Sequence, residues 1–301
     1  MNEEKEKYIN AFTDFGFKKL FGEEPNKDLL IDFLNELLNN KTKIKDLKYG
    51  KLEKLGDITE ERKAVFDLYC ENESGEKFIV EIQKAKQDFF KDRTIFYSTF
   101  PIREQAVKGS EWDFELKSVY SIGILDFRFN DEDQDKTVVN EVKLMDTKKK
   151  TVFYDKLTYI YIQMPNFTKT EDELETHFDK WLYVLKNLHK FQYHPEILKE
   201  KIFKKLFKIA EISNFTMEEL EEYERSLKAY RDLQNTMDYK YKEGRKEGRK
   251  EGRKEGIREE KIYFATEMIK NGEINDKISQ YTNLSNEEIE KIRKKIKNQD
   301  K

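Results

Sequence analysis

Leu29, Leu30, Phe33, Leu34, Leu37 and Leu38 recur at a spacing that gathers them on one broad face, which predicts an amphipathic helix over residues 27–38. Pro25 ahead of it and Asn39-Asn40 behind it bracket that helix. Residues 13–22, with Phe15, Phe17 and Phe21, read as a short aromatic-rich helical turn closed by Gly22. Two strand-like runs follow, over residues 62–70 and 76–83, and the segment between them has hairpin turn chemistry in Asn72, Ser74 and Gly75. A helix over about residues 87–107 carries Arg93 and Tyr97 on one side at i, i+4, and Pro101 is expected to bend or interrupt it. Residues 117–127 read as a buried strand, and 138–145 and 152–164 as two more, joined around Asp146-Thr147-Lys148. Strand, strand, helix, strand, strand, strand describes a mixed α/β core.

From residue 171 the period becomes helical. Thr170 with Glu173, and Thr216 with Glu219, have the spacing of capping boxes ahead of apolar stripes. The first stripe is Leu174, Phe178, Trp181, Leu185 and Leu188; the second begins with Leu220, Tyr223, Leu227 and Tyr230. The second runs into a Lys-Glu-Gly-Xaa repeat that places Gly244, Gly248, Gly252 and Gly256 on one slowly drifting stripe. Each mid-helix glycine costs roughly 0.5–1 kcal/mol against alanine. The repeat is therefore either a flexible linker or a helix that another helix approaches closely. Beyond it, Asn271-Gly272 is a helix stop, and two short helices around Thr282-Asn283-Leu284-Ser285 outline a helix-turn-helix. Lys291, Arg293, Lys294 and Lys295 lie on or near its second helix; capped helix pairs of this kind also occur in proteins that never touch DNA.

Composition narrows the chemistry. At 40% charged and 37% hydrophobic the chain reads as water-soluble, and no run approaches the ~18 apolar residues of a membrane span. Its first residues lack a signal-peptide layout, and a lone cysteine, Cys70, excludes an internal disulfide, so a cytoplasmic, reducing compartment is expected. Three histidines, His177, His189 and His194, are too few and too badly spaced for a His-based metal site, which leaves oxygen ligands. Net charge is −3, but residues 240–301 hold 18 basic and 13 acidic side chains, so a +5 tail follows a −8 body. That asymmetry fits a polyanion or a partner for the tail, and it also fits the solvated surface of a Lys/Glu-rich chain.

Alternation puts Val65, Asp67 and Tyr69 on one strand face with Ala64, Phe66, Leu68 and Cys70 on the other, and groups Ile79, Glu81 and Gln83 opposite Phe78, Val80 and Ile82. Both strands are apolar on each side and are expected to be central. Asp67 and Glu81 on adjacent buried strands would be desolvated and would repel each other, and a bound Mg²⁺ or Mn²⁺ would relieve both. The alternative is that both acids sit at strand ends, solvated or paired with Lys63, Lys84 or Arg93.

The order Asp67, a glycine-containing turn, then Glu81-Ile82-Gln83 resembles the PD-(D/E)XK nuclease superfamily, and more closely its recombination-promoting nuclease (Rpn) and transposase group. Residues 13–21, Lys63 to Asp67, Arg93-Thr94-Ile95-Phe96-Tyr97, residues 120–127, the Lys-Glu-Gly-Arg repeat and the terminal helix pair all contribute to it. The resemblance implies a restriction-endonuclease-like mixed β-sheet core flanked by helices, followed by an α-helical C-terminal region. It divides the chain into a nuclease core (1–168), a helical extension (169–240), the repeat helix or linker (241–258) and a helix-turn-helix-like tail (259–301). It implies a metal-dependent DNA endonuclease using Mg²⁺ or Mn²⁺, with Asp67, Glu81 and the Ile82 carbonyl as ligands. Gln83 stands where the superfamily pattern has lysine; its amide could hold the attacking water but supplies no positive charge. Lys63, Arg93 and Tyr97 become candidate DNA contacts, Arg93 and Tyr97 being equally readable as a pair packed on the sheet. Asp14 reads as an outer acid or as a helix N-cap. DNA is the implied partner, no membrane is, and the C-terminal helices are a candidate homodimer contact. A catalytically weak or inactive nuclease-like scaffold, serving as a DNA-binding or protein-interaction module, is the alternative. A DDE-type transposase lacks a convincing third carboxylate.

Overall fold

All six leucine and phenylalanine positions of the predicted 27–38 face are buried, and the helix they drive runs Lys27–Leu37 (α2). In the computed structural model the described residues are 6–39, 43–51, 53–54, 64–106, 113–129 and 136–299. Before α2 lies α1 (Asp14–Phe21), whose N-cap is Thr13, its hydroxyl accepting the Gly16 N–H at 2.9 Å. The cap is therefore Thr13 rather than Asp14, because the hydroxyl already occupies the position from which a capping side chain serves the first turn.

Eight strands follow in chain order, with α3 (Phe90–Glu104) between the fifth and sixth: β1 (Leu47–Tyr49), β2 (Glu53–Lys54), β3 (Ala64–Val65), β4 (Leu68–Asn72), β5 (Lys77–Gln83), β6 (Val119–Leu125), β7 (Val139–Asp146) and β8 (Thr151–Gln163). β2 and β3 pair with each other; the remaining six form one sheet in the order β1-β4-β5-β6-β8-β7. β5, β6 and β8 run parallel and the outer pairings are antiparallel, so the sheet is mixed. α3 makes the crossover between parallel β5 and β6 that no tight turn could make. Pro101 lies inside α3 without ending it. It falls in the final turn, where few bonds remain to be lost.

The predicted strand 62–70 is broken. Phe66 and Asp67 lie outside the ladders, and pairing of β4 with β5 stops at Leu68 opposite Val80. The next β5 amide, that of Ile82, donates instead to the Asp67 carboxylate at 2.8 Å. A side chain thus takes the place of a strand carbonyl, and the alternation predicted from the sequence does not survive the bend. Phe66 packs with Tyr69 and Ile79, not with Leu68 and Cys70.

The two faces of the sheet are covered differently. Leu68, Cys70, Phe78, Val80, Ile82, Ile122, Ile124, Ile160 and Ile162 belong to the large core built with α1, α2, α4 (His177–Asn187) and α5 (Lys201–Ala210). On the opposite face α3 lays Phe90, Tyr97 and Phe100 over Phe66, Ile79, Leu125, Tyr159 and Tyr161. The capping box of Thr170 with Glu173 forms, but it opens only a 3-10 turn; α4 starts at a second box, Thr176 with Asp179.

α6 (Met217–Lys270) is one 54-residue helix that contains the glycine repeat, and a Cβ at Gly244, Gly248, Gly252 or Gly256 would meet nothing within 4 Å. The chain divides into compact units of residues 1–234 and 235–301. In the first, α6 is tied down by Tyr223, which receives the Asn10 N–H at 3.0 Å, and by Ser226, which receives the Phe15 N–H at 3.1 Å. In the second, Ala265 and Ile269 of α6 pack with Ile278 of α7 (Asn275–Thr282), Leu284, and Ile289 of α8 (Asn286–Gln299). Arg293 is spent within that unit, donating to the Glu273 carbonyl at 2.6 Å and to Asn275. Among the described residues no helix is long and apolar enough to cross a membrane.

Candidate active site at the end of strand β5

Strand alternation places Glu81 and Gln83 on the face that α3 covers, while the bend at Asp67 brings a second carboxylate against the same end of β5. Glu81 is 8% exposed. Burial, and then the charge of Asp67, push its carboxyl up to about 7, against a smaller opposing pull from Arg93. Asp67 is also pushed up by burial; the Ile82 N–H works against that, Asp14 adds to it, and Lys18 and Lys84 oppose it.

Ile82 sends its N–H toward Asp67, and in a strand the carbonyl of the same residue leaves on the same side, beyond the last β4 pairing. Gln83 faces the other way along its backbone, its carbonyl accepting the Asp126 N–H at 2.9 Å. The Asp126 carboxylate is held by the Tyr230 hydroxyl at 2.9 Å and the Gln234 amide at 3.2 Å, so this third acid anchors α6.

Gln83 joins two charged groups. Its amide nitrogen donates to Glu81 Oε2 at 3.2 Å, and its amide oxygen accepts from Arg93 Nη2 at 2.6 Å. Arg93 also donates to Gln87 and lies about equally over the Phe90 and Tyr97 rings, at 5.8 and 6.0 Å from their centroids. Tyr97 in turn meets Phe66 edge to face at 5.5 Å. Arg93 and Tyr97 are thus both near the site and packed on the sheet. Lys63 lies outside the described residues.

On its other side Asp67 opens into a cleft of ≈ 410 Å³ lined also by Phe15, Lys18, Lys19, Gly22 and Tyr49. Asp14 forms an ion pair with Lys18 at 3.1 Å on the rim of α1. Lys18 and Gln87 are the neighbours that reading the sequence passed over. The i, i+4 spacing of Lys18 from Asp14 was the available signal.

One buried and one half-buried carboxylate, an adjacent backbone carbonyl and, among the described residues, no cation paired with either acid are a donor set that suits a hard divalent ion. Among the described residues no Lys, Arg or His forms an ion pair with Asp67 or Glu81, and no three His, Cys, Asp or Glu side chains gather as a metal cluster. The set therefore fits an ion that keeps part of its coordination for water or substrate.

A family model described as PD-(D/E)XK nuclease family transposase matches residues 11–240. No curated protein and no solved structure matches the chain.

Proposed function

The chain belongs to the PD-(D/E)XK nuclease family transposases, and we propose that it hydrolyses phosphodiester bonds in DNA at Asp67, Glu81 and Gln83. The six-stranded mixed sheet flanked by helices is consistent with the restriction-endonuclease-like α/β fold. The observation that carries the proposal is the pair of carboxylates at one end of β5, Glu81 buried and Asp67 half-buried, with Glu81 pushed up to about 7 by burial and by the charge of Asp67.

Asp67, Glu81 and the Ile82 carbonyl would hold a divalent cation, Mg²⁺ or Mn²⁺. Bound there, such an ion supplies a polarised phosphate and acidified water. Asp67 is oriented by the Ile82 N–H, which fixes one carboxylate oxygen and leaves the other available. Gln83 orients Glu81 through its amide nitrogen. Arg93 donates to the Gln83 amide oxygen, so positive charge reaches the site from α3 and not from position 83 itself. Lys63, Arg93 and Tyr97 remain candidate DNA contacts; Arg93 keeps guanidinium N–H groups beyond the two that bond Gln87 and Gln83. The acids' burial keeps bulk water from screening these interactions.

The missing lysine favours a second reading, a weakly active or inactive nuclease scaffold that binds DNA or protein, with the C-terminal helices as a dimer contact. Incubating the protein with supercoiled plasmid in Mg²⁺ and in EDTA separates the two. The first reading expects nicking or linearisation in Mg²⁺ alone, abolished by Asp67→Asn. Intact plasmid at high enzyme concentration in both Mg²⁺ and Mn²⁺ would leave the scaffold reading.

A further inference from the structure

β8 is thirteen residues long, yet β6 pairs with it only from Leu157 to Gln163. Residues 151–156 pair with β7 alone, Leu144 opposite Tyr154, Met145 opposite Val152 and Asp146 opposite Thr151. Among the described residues, the end of this hairpin is a two-stranded ribbon without a third strand. Isolated ribbons of that kind are marginal in water.

Its side chains are not those of a solvated ribbon. Leu144, Met145, Val152 and Phe153 are 48–79% exposed. Phe153 is the extra residue of a β-bulge, between Val152 opposite Met145 and Tyr154 opposite Leu144, so the ribbon bends there and leaves two adjacent apolar side chains exposed. The tip is basic. Lys148, Lys149 and Lys150 are consecutive, exposed, and reached by no ion pair among the described residues. Asp146 fixes how they are presented: its side chain accepts the Lys148 and Lys149 N–H groups at 2.9 Å each, and its carbonyl accepts that of Lys150 at 2.8 Å.

Lysines often guard the edge of a sheet against pairing with another chain. Here the guard would lie along β7, where Lys143 does lie and is paired with Glu141 at 2.6 Å. The unpaired three are gathered at the tip. Three adjacent positive charges ahead of an exposed apolar ribbon match a polyanion with a groove, and a two-stranded ribbon fits the major groove of B-DNA. A symmetric pairing of two copies at this tip would set like charges together.

We infer that the distal β7–β8 ribbon is an arm that grips duplex DNA, Lys148, Lys149 and Lys150 on phosphates and Val152 and Phe153 against the groove. The assignment rests on the proposed action on DNA, but it concerns holding the duplex and not cutting it.

The test measures affinity of the full chain for a 30-base-pair duplex in EDTA, by fluorescence anisotropy across a salt series. Lys148→Gln with Lys149→Gln and Lys150→Asn keeps the turn, since Asn tolerates the positive φ of 58° at position 150. It should weaken binding at least ~10-fold at 100 mM salt and make the salt slope shallower by about 2–3, the change expected when three phosphate contacts go. Val152→Thr with Phe153→Thr should weaken binding and leave the slope unchanged. Affinity and slope equal to the parent's, in variants that melt normally, would overturn the assignment. So would a parent that does not bind the duplex, or a Val152/Phe153 variant that loses a dimer and keeps its DNA affinity. Failure of Mg²⁺-dependent cleavage with these binding results intact would count against the site at Asp67 and Glu81 alone.

Discussion

The first unit gathers acids in two places and treats them in opposite ways. Between α2, α4 and the start of α5, Asp32 accepts from His177 Nε2 at 2.7 Å and from Trp181 Nε1 at 2.6 Å, while Glu200 meets His177 Nδ1 at 2.6 Å and pairs with Lys180. Both carboxylates there face the His177 ring, and Glu200 also pairs with Lys180. At the end of β5, among the described residues, Asp67 accepts from the Ile82 N–H and Glu81 from the Gln83 amide with no cation paired to either, and burial pushes both carboxyls up. Acids that the chain balances itself are joints between helices. Acids that it leaves unpaired at the end of a central strand are the ones proposed above to take an external cation.

The largest effect that separates the two places is on cleavage. Asp67→Asn should lower plasmid cleavage in Mg²⁺ by at least ~10²-fold, the scale of losing one preorganised electrostatic partner. It should hold or raise the melting temperature in EDTA, because a repelling charge goes while an acceptor for Ile82 stays. Asp67→Ala is a poorer probe, since it also strands the Ile82 N–H. At the clamp, Asp32→Ala leaves the indole N–H of fully buried Trp181 without its acceptor and should destabilise the protein by about 1–3 kcal/mol. That loss should be equal in Mg²⁺ and EDTA, and denaturant melts in both read it. Equal sensitivity of the Asp67 and Asp32 variants to Mg²⁺ would erase the distinction.

A pH series sharpens it. Glu81 lies near 7 in the folded chain against an ordinary value of 4.5, so its contribution is present below about 4.5 and lost as pH rises through 7. His177 is raised above 6.5, chiefly by its bond to Asp32; its contribution is complete below about 6.5 and lost as pH climbs past its folded value. In EDTA the melting temperature should therefore fall from pH 5 to 7, and Glu81→Gln should flatten that window while leaving the fall above it. A variant with the parent's slope between pH 5 and 7 would show that Glu81 is not the group responsible. The smallest effect expected is at position 83. Gln83→Lys should keep the fold and raise or maintain cleavage, because charge now carried by Arg93 would sit beside Glu81 directly. A large fall in cleavage with cation affinity intact would mean the amide itself is needed.

Most of the sheet was legible because β-branched and aromatic residues dominate its strands, in near-continuous apolar runs in β5 and β6 and interrupted by charges in β7 and β8: residues 76–83, 117–127, 138–145 and 152–164 each lie within two residues of an observed strand. The break at Phe66-Asp67 was not, since hydrophobic alternation cannot register a carboxylate replacing a ladder carbonyl. The start of α4 was misplaced for a related reason. Two Thr-initiated boxes stand six residues apart, and the one with Asp179 in place of Glu opens the helix. The four glycines left the repeat undecided between helix and linker, because glycine's local penalty says nothing about the flanking turns that carry α6 through. At the candidate site, Gln83 contacts Glu81 and Arg93, while Asp67 reaches β5 through the Ile82 N–H from a bend that alternation did not foresee. What spacing could not give is the order of the contacts, Arg93 to Gln83 to Glu81, or Lys18 arriving from α1, because both depend on tertiary packing.

The central claim is that Asp67 and Glu81 form a site for a divalent cation. Isothermal titration of Mn²⁺ and Mg²⁺ into the metal-free chain, its Asp67→Asn variant and its Asp32→Ala variant at pH 8 tests that claim without any nuclease assay. The account predicts saturable binding by the parent and by Asp32→Ala, accompanied by a rise in melting temperature, and loss of both in Asp67→Asn. A parent that takes up neither ion, or an Asp67→Asn variant that binds as the parent does, would contradict it.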